Sequence, residues 1–474
     1  MACLNHILQP SRLTGLSPDL YENTQTESFA QPAFAHLNDN LLEQLGIDVQ
    51  LFAATENLDL LNDSRQTPGL QPISTVYAGH QFGVYTSRLG DGRVHILGDI
   101  SARDGTHWEI QLKGAGATPY ARGNNGRMSL AEAITEYLGS EAIAGLGIAG
   151  TRALALITNN ARPLQEGRSP ETILVRTATT HLRFGHVEYL HNQNNLPLLK
   201  ALVDHVITQY YPALMAFEGA SRYAQFLYAV TQRTARLLAQ WQAVGFVHSV
   251  MNTDNMSIIG LTLDYGVYGF METYDPGYSP NANDEQDRYA FDQQVDVGRW
   301  NCLALAEALG SLLPEQRIPV GLLRHYRINH TEAYQALMRQ KLGLREAHAG
   351  DGKLIAQLLL LLQQHRVDYT RFFRHFSRVE SAGIDMLGVE NPDWLQAFQA
   401  WLETYRHRLT VESSQPEERE AMMLDRNPKY ILRQAELENV IRHAEQAHDF
   451  VPLQELLTVL QSPFSEHTMQ EHLA

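Results

Sequence analysis

Asn255 and Asp264 stand nine positions apart in the stretch HSVMNTDNMSIIGLTLDYG, residues 248 to 266. Amide and carboxylate oxygens of this kind suit Mg²⁺, a hard cation that keeps waters and shares its remaining positions with substrate phosphates. Other side chains could meet the phosphates themselves. Lys113 closes the strand-like run WEIQLK, and Glu136 follows 23 residues later in a helical pattern. A strand lysine paired with a helix glutamate holds its ammonium group over a nucleotide. Gly90-Asp91-Gly92-Arg93 adds small residues that let backbone N–H groups approach phosphate, with Arg93 supplying charge. Arg176 and Arg183, seven residues apart in VRTATTHLRFG, could reach a triphosphate together.

The loop at 248 to 266 resembles a phosphoryl-transfer site with one part exchanged. Protein kinases carry H-R-D-x-x-x-x-N, a short hairpin and D-F-G, in which the first Asp accepts the substrate proton. His248, Asn255 and Asp264-Tyr265-Gly266 keep that order, but Val250 stands where the Asp belongs. Each piece alone has a plainer reading. Gly90-Asp91-Gly92 between two strand-like runs is a hairpin turn, Asn and Asp are common turn residues, and His248 is a packed core histidine. The order and spacing of all of them in one chain point to a nucleotide site.

Positioning these groups calls for a sheet, then a helix, then a helical bundle. Residues 73 to 113 alternate apolar and polar positions between turn residues, which predicts a small antiparallel sheet. Ser129 with Glu132 three residues on forms a capping box that opens the helix MSLAEAITEYLGSEAIAGLG. Glu136 lies there in a stripe of small and apolar residues. Helical patterns dominate from about 196 onward, and YAQFLYAVTQRTARLLAQWQAVG runs directly into the loop at 248. The acidic stretch VESSQPEEREA, 411 to 421, reads as an exposed linker. The expected division is an N-terminal extension over 1–72, a sheet-rich lobe over 73–195 holding the glycine loop, Lys113 and Glu136, and a helical lobe over 196–474 with the catalytic and metal loops.

A net charge of −16 argues against nucleic acid and anionic membrane surfaces, since phosphate contacts need clustered Lys and Arg. The longest apolar run, IAQLLLLL at 355 to 362, is far short of a membrane span. Cys3 and Cys302 are too few for a disulfide framework and too far apart for a paired metal site. With no secretory pattern at the N-terminus, a cytoplasmic protein is expected.

Several long motifs together resemble the selenoprotein O (SelO, UPF0061) family: VYAGHQFGVYTSRLGDGR, QLKGAGATPYAR, EYLGSEAIAGLGIAGTRAL, HLRFGHVEYL, MNTDN, LDYGVYGF and RNPKYILR. The resemblance implies an α+β, protein-kinase-like bilobal fold with family-specific extensions. It also implies a protein adenylyltransferase, moving AMP from ATP to Ser, Thr or Tyr hydroxyls with Mg²⁺ or Mn²⁺ and binding the nucleotide in a flipped orientation. Carried onto this chain, Gly90, Gly92 and Arg93 contact the nucleotide, Lys113 contacts phosphate with Glu136 as its partner, and Asn125, Gly126, Arg176 and Arg183 belong to the pocket of the flipped nucleotide. Asp254 becomes the proton acceptor, and Asn255 and Asp264 hold the metal. On this reading the base has moved from the place of Val250 to a position beside a metal ligand.

Two departures are visible. Asn125-Gly126-Arg127 replaces the family's Asp-Gly-Arg, which keeps an acceptor oxygen and loses a charge. Tyr278-Ser279-Pro280 and the ending SEHTMQEHLA carry no cysteine where some relatives have a redox pair, so that control is not expected. A kinase transferring the γ-phosphoryl group, and an inactive ATP-binding scaffold, stand as alternatives.

Overall fold

The computed structural model describes residues 4–64, 69–160, 169–383 and 391–467. Cys3 and the last seven residues of the SEHTMQEHLA ending lie outside them.

Strand pairing builds one eight-stranded sheet from β1 (Tyr21–Asn23), β2 (Pro32–Leu37), β3 (Ile73–Thr75), β6 (Val94–Ser101), β7 (His107–Lys113), β8 (Met128–Ser129), β9 (Arg152–Asn159) and β10 (Glu171–Ala178). The order is β1-β3-β6-β7-β10-β9-β2, with β8 on β10, and every pairing is antiparallel. A separate hairpin joins β4 (Gly79–Gln81) to β5 (Val84–Thr86). Two strands of the main sheet, β1 and β2, come from the first 72 residues.

The period-2 alternation of β7 sorts its side chains by chemistry. Ile110 and Leu112 join the apolar layer under the N-terminal helices. Glu109, Gln111 and Lys113 alternate with them and so point to the opposite face, where they are buried. On that face the helix Leu130–Gly145 packs, its Leu130, Ile134 and Leu138 in a core shared with the C-terminal helices. The capping box on this helix forms as the sequence predicts: Ser129 Oγ accepts from Glu132 N, and the Glu132 carboxylate accepts from Ser129 N at 2.9 Å.

Below the sheet the 26-residue helix Gly219–Val244 ends at Gly245 in the left-handed region. The chain then enters β11 (Phe246–Val247), which pairs with β12 (Gly269–Phe270). The residues between these two short strands are the loop at 248 to 266. Sheet, lysine, helix glutamate, helical lobe and paired loops thus follow the order of a protein kinase.

Two sequence expectations fail. Gly90-Asp91-Gly92 is not a hairpin turn, because β5 pairs with β4 and β6 pairs with β3 and β7. The segment is a crossing loop, anchored where Asp91 Oδ2 accepts from Thr75 N at 3.0 Å. The tight turn of this region instead joins β6 to β7, where Ala102 N donates to Thr106 O. Nor is 411 to 421 all linker: a helix spans Pro416–Leu424, with Pro at its first turn. Proline there loses no intrahelical hydrogen bond and sets φ for the helix, so composition misled where position was informative.

Candidate active site

Lys113 reaches the cleft because β7 ends there, opposite Val94 in the β6 register and just past the glycine loop. Its Nζ bonds Glu136 Oε2, and the second oxygen, Oε1, accepts from Arg176 Nη1 at 2.9 Å. Arg176 faces Gln111 across β7 and β10, and its Nε donates to Gln111 Oε1 at 2.9 Å. Burial works to raise the Glu136 carboxyl, but Lys113 and Arg176 outweigh it and hold it below the usual range. A buried carboxylate between two cations is charged and fixed.

The loop wall is pinned by its own side chains. His248 Nε2 donates to Leu263 O at 2.6 Å, and burial keeps the imidazole neutral. Asn255 Nδ2 donates to Val250 O at 2.9 Å, which orients its amide oxygen toward Arg183 Nη1, 3.3 Å away. Arg183 also donates to Asp254 O at 2.8 Å and lies over the Tyr77 ring. Asp264 sits at φ 65°, unusual for a residue with a Cβ. Its Oδ1 accepts from Gly266 N and stands 3.7 Å from Lys113 Nζ. Burial tends to raise the carboxyl, but Lys113 and Arg183 override that and drive it well below the ordinary carboxylate range.

Asp254 differs from its neighbours. It is 7% exposed, and its Oδ1 has no hydrogen-bond partner. Burial raises its carboxyl to about 6, against the pull of Arg183. Two glycines make its place: a Cβ on Gly79 would come 2.9 Å from Asp254 Oδ1, and one on Gly185 would come 2.3 Å from Ala78 O. Behind the loop, Thr253 Oγ1 donates to Glu188 Oε2 at 2.8 Å and accepts from His80 N at 2.7 Å. Glu188 Oε1 lies 3.2 Å from His80 Nδ1. This clamp holds the short turn Thr253–Asn255 against β4.

The cleft has a volume of about 430 Å³. Gly90, Gly92, Arg93, Lys113, Arg176, Arg183, Asp254, Asn255 and Asp264 all line it, and Glu136 stands directly behind Lys113. Gly90 and Gly92 are required there, since a Cβ on either would come within 2.9 Å of Tyr120. Arg93 is held at 3.0 Å by Glu132, the capping-box residue. Asn125 and Gly126 are not among the lining residues. Asn125 Oδ1 accepts from Arg127 N in its own turn, and Gly126, at φ 68°, packs where a Cβ would strike the Gly116 backbone. Tyr77, Tyr120, Asn124 and Asn252 line the cleft without having been anticipated. Only their proximity in the fold marks them, as aromatic and amide residues carry no spacing signal of their own.

A family model described as protein adenylyltransferase SelO matches residues 4–461. A protein nucleotidyltransferase YdiU of Myxococcus xanthus is 43% identical over 448 residues, covering 94% of this chain and 91% of its own. Its namesake in Aeromonas hydrophila is 44% identical over 450 residues with the same coverage. Among solved structures, ROP2 of Toxoplasma gondii, titled a virulence factor with a protein-kinase fold and no enzymatic activity, is similar over 63% of this chain and 85% of its own, with a TM-score of 0.28 at 11% identity, a likeness too weak to argue from. On the family model and the relatives, this chain belongs to the protein adenylyltransferase SelO family and is a nucleotidyltransferase.

Proposed function

We propose that the chain transfers AMP from ATP to a Ser, Thr or Tyr hydroxyl of a protein, with Asp254 as the proton acceptor. The observation that carries this reading is the Asp254 carboxyl, which lines the cleft where Val250 takes the place of a kinase base and, among the described residues, is in no ion pair. A general base needs a free lone pair and a pKa close to the working pH, and a carboxyl raised to about 6 has both.

In the step itself the hydroxyl oxygen forms a bond to the α-phosphorus, the bond from that phosphorus to the β-bridging oxygen breaks, and pyrophosphate leaves. The hydroxyl proton passes to Asp254. Lys113, fixed by Glu136, and Arg183 supply positive charge to the phosphate oxygens as charge shifts toward the leaving group. Asn255 Oδ1 and the Asp264 carboxylate are hard oxygen donors on one wall, a set that fits Mg²⁺ or Mn²⁺. Bound there, the ion would neutralise phosphate charge and orient the triphosphate.

Labelled ATP tests this directly. Label at the α-phosphate should arrive on protein with a mass gain of AMP, and label at the γ-phosphate should not. Arrival from the γ-position alone would restore the kinase alternative. Asp264→Ala should abolish turnover in a protein that still folds, with a lowered thermal midpoint because the carboxylate is held charged by Lys113 and Arg183.

A further inference from the structure

A second groove, of about 640 Å³, opens beside the cleft, with Phe82, Arg288 and Trp300 among its lining residues. The hairpin of β4 and β5 divides the two. Gln81 lines the cleft and Phe82 lines the groove. Phe82 holds φ 50°, a costly conformation for a bulky residue, and its N–H donates to Asn252 Oδ1 and to Tyr289 Oη, each at 3.1 Å. Tyr289 in turn donates to Asn252 Oδ1 at 2.6 Å. Asn252 lines the cleft two residues before Asp254, and Gly79 at the base of the hairpin touches Asp254. One strained turn therefore ties the groove to the proposed base.

The groove's centre is a cation on an aromatic floor. The Arg288 guanidinium lies 5.3 Å from the Trp300 ring centre and 5.8 Å from that of Tyr289. Among the described residues it forms no ion pair with a carboxylate, and its Nε is buried without a partner. Arg299, by contrast, is already matched by Asp296 at 3.1 Å. The Phe82 ring stays 43% exposed. An aromatic wall and a guanidinium outside any ion pair, on a rim that also carries Asp284, Glu285 and the Arg299-paired Asp296, make a surface that can take a polypeptide carboxylate at Arg288 alone.

We propose that this groove seats the acceptor polypeptide next to its modified hydroxyl, with an acidic side chain of that polypeptide against Arg288. The inference rests on the reading of the cleft as an AMP-transfer site.

The test uses the full chain, α-labelled ATP, and synthetic peptides with one acceptor hydroxyl and one glutamate stepped through positions on either side of it, each with a lysine twin. The best glutamate peptide should exceed its twin about tenfold in kcat/KM, the size of one charge-assisted contact. Arg288→Glu should reverse the preference and Arg288→Ala should bring the twins to parity, with the KM for ATP unchanged. The alanine variant breaks no ion pair and supplies the reading if the glutamate variant fails to fold. Fluorescence anisotropy of labelled peptides measures the same preference without turnover. Equal treatment of the twins by the parent enzyme, or a preference that survives both substitutions, overturns the groove. Preference in anisotropy with label arriving only from γ-ATP would keep the groove and overturn the transfer reading.

Discussion

On the sheet wall of the cleft, the Glu136 carboxylate is met by Lys113 on one oxygen and Arg176 on the other. On the loop wall, Asp254 is nearly as buried and, among the described residues, no side-chain cation pairs with its carboxyl. Both are buried acids, yet the surroundings depress one and raise the other. The difference separates two uses of a buried charge. A carboxylate saturated by cations is a strut, because its protonation would cost two ion pairs. One with a free oxygen is available to take a proton, and the protein bears the cost of leaving it unpaired.

Removing each acid should therefore fail in a different way. Glu136→Ala leaves two cations buried beside each other, and breaking such an arrangement costs about 3 to 5 kcal/mol. Chemical denaturation should show that loss, and turnover should collapse as Lys113 loses its anchor. Asp254→Asn should reduce kcat by about 10²- to 10⁴-fold, the usual worth of a general base. Its thermal midpoint should hold or rise, since no hydrogen bond to Oδ1 is lost. A large fall in the midpoint of Asp254→Asn would erase the distinction between strut and base.

A smaller effect is expected one step behind the base. Thr253→Val removes the hydroxyl that links Glu188 to the β4 backbone, and it leaves every cleft-lining side chain in place. We expect kcat to fall by about tenfold to a hundredfold through misplacement of Asp254, with the KM for ATP unchanged. Glu188→Gln keeps an oxygen to accept from Thr253 and should lose less than Glu188→Ala. Equal losses in the two Glu188 variants would assign the effect to charge and not to the clamp.

How far the sequence reveals these two walls follows from where their contacts come from. Lys113 and Glu136 were legible because strand alternation and a capping box each fix a position locally, and the 23-residue spacing brings the two positions together. The third member, Arg176, entered as a phosphate ligand, and its bonds to Glu136 and Gln111 depend on the β7–β10 register. Asp254 emerged from motif resemblance, whereas its isolation depends on Gly79 and Gly185, more than 65 residues away in the chain. Glycines that make room for a neighbour leave no periodic trace. The same limit applies to Gly126, where a Cβ would strike the Gly116 backbone.

A third buried acid lies away from the cleft and isolates the cost of burying a carboxylate from its chemistry. Asp99 on β6 is directly opposite Glu109 on β7, like charges in register, and its Oδ1 has no partner. Burial and Glu109 raise the Asp99 carboxyl to about 7, from an ordinary value of 3.8. The folded protein thus keeps a proton that the unfolded chain releases, so stability is lost as pH rises from about 4 to about 7. Asp99→Asn preserves an acceptor for Arg12 N and removes the charge, at the loss of a 3.7 Å ion pair with the part-exposed Arg12 Nε. The variant should be more stable than the parent above pH 7, by roughly 1 kcal/mol, and its urea midpoint should fall less steeply with pH. Part of the slope that remains belongs to Glu109, which burial also raises to about 7, and part to Asp254. AMP transfer should be unchanged, because Asp99 does not line the cleft. Stabilisation in both Asp99→Asn and Asp254→Asn, with turnover lost only in the second, would show that the same unfavourable burial is tolerated at both places and used for chemistry at one.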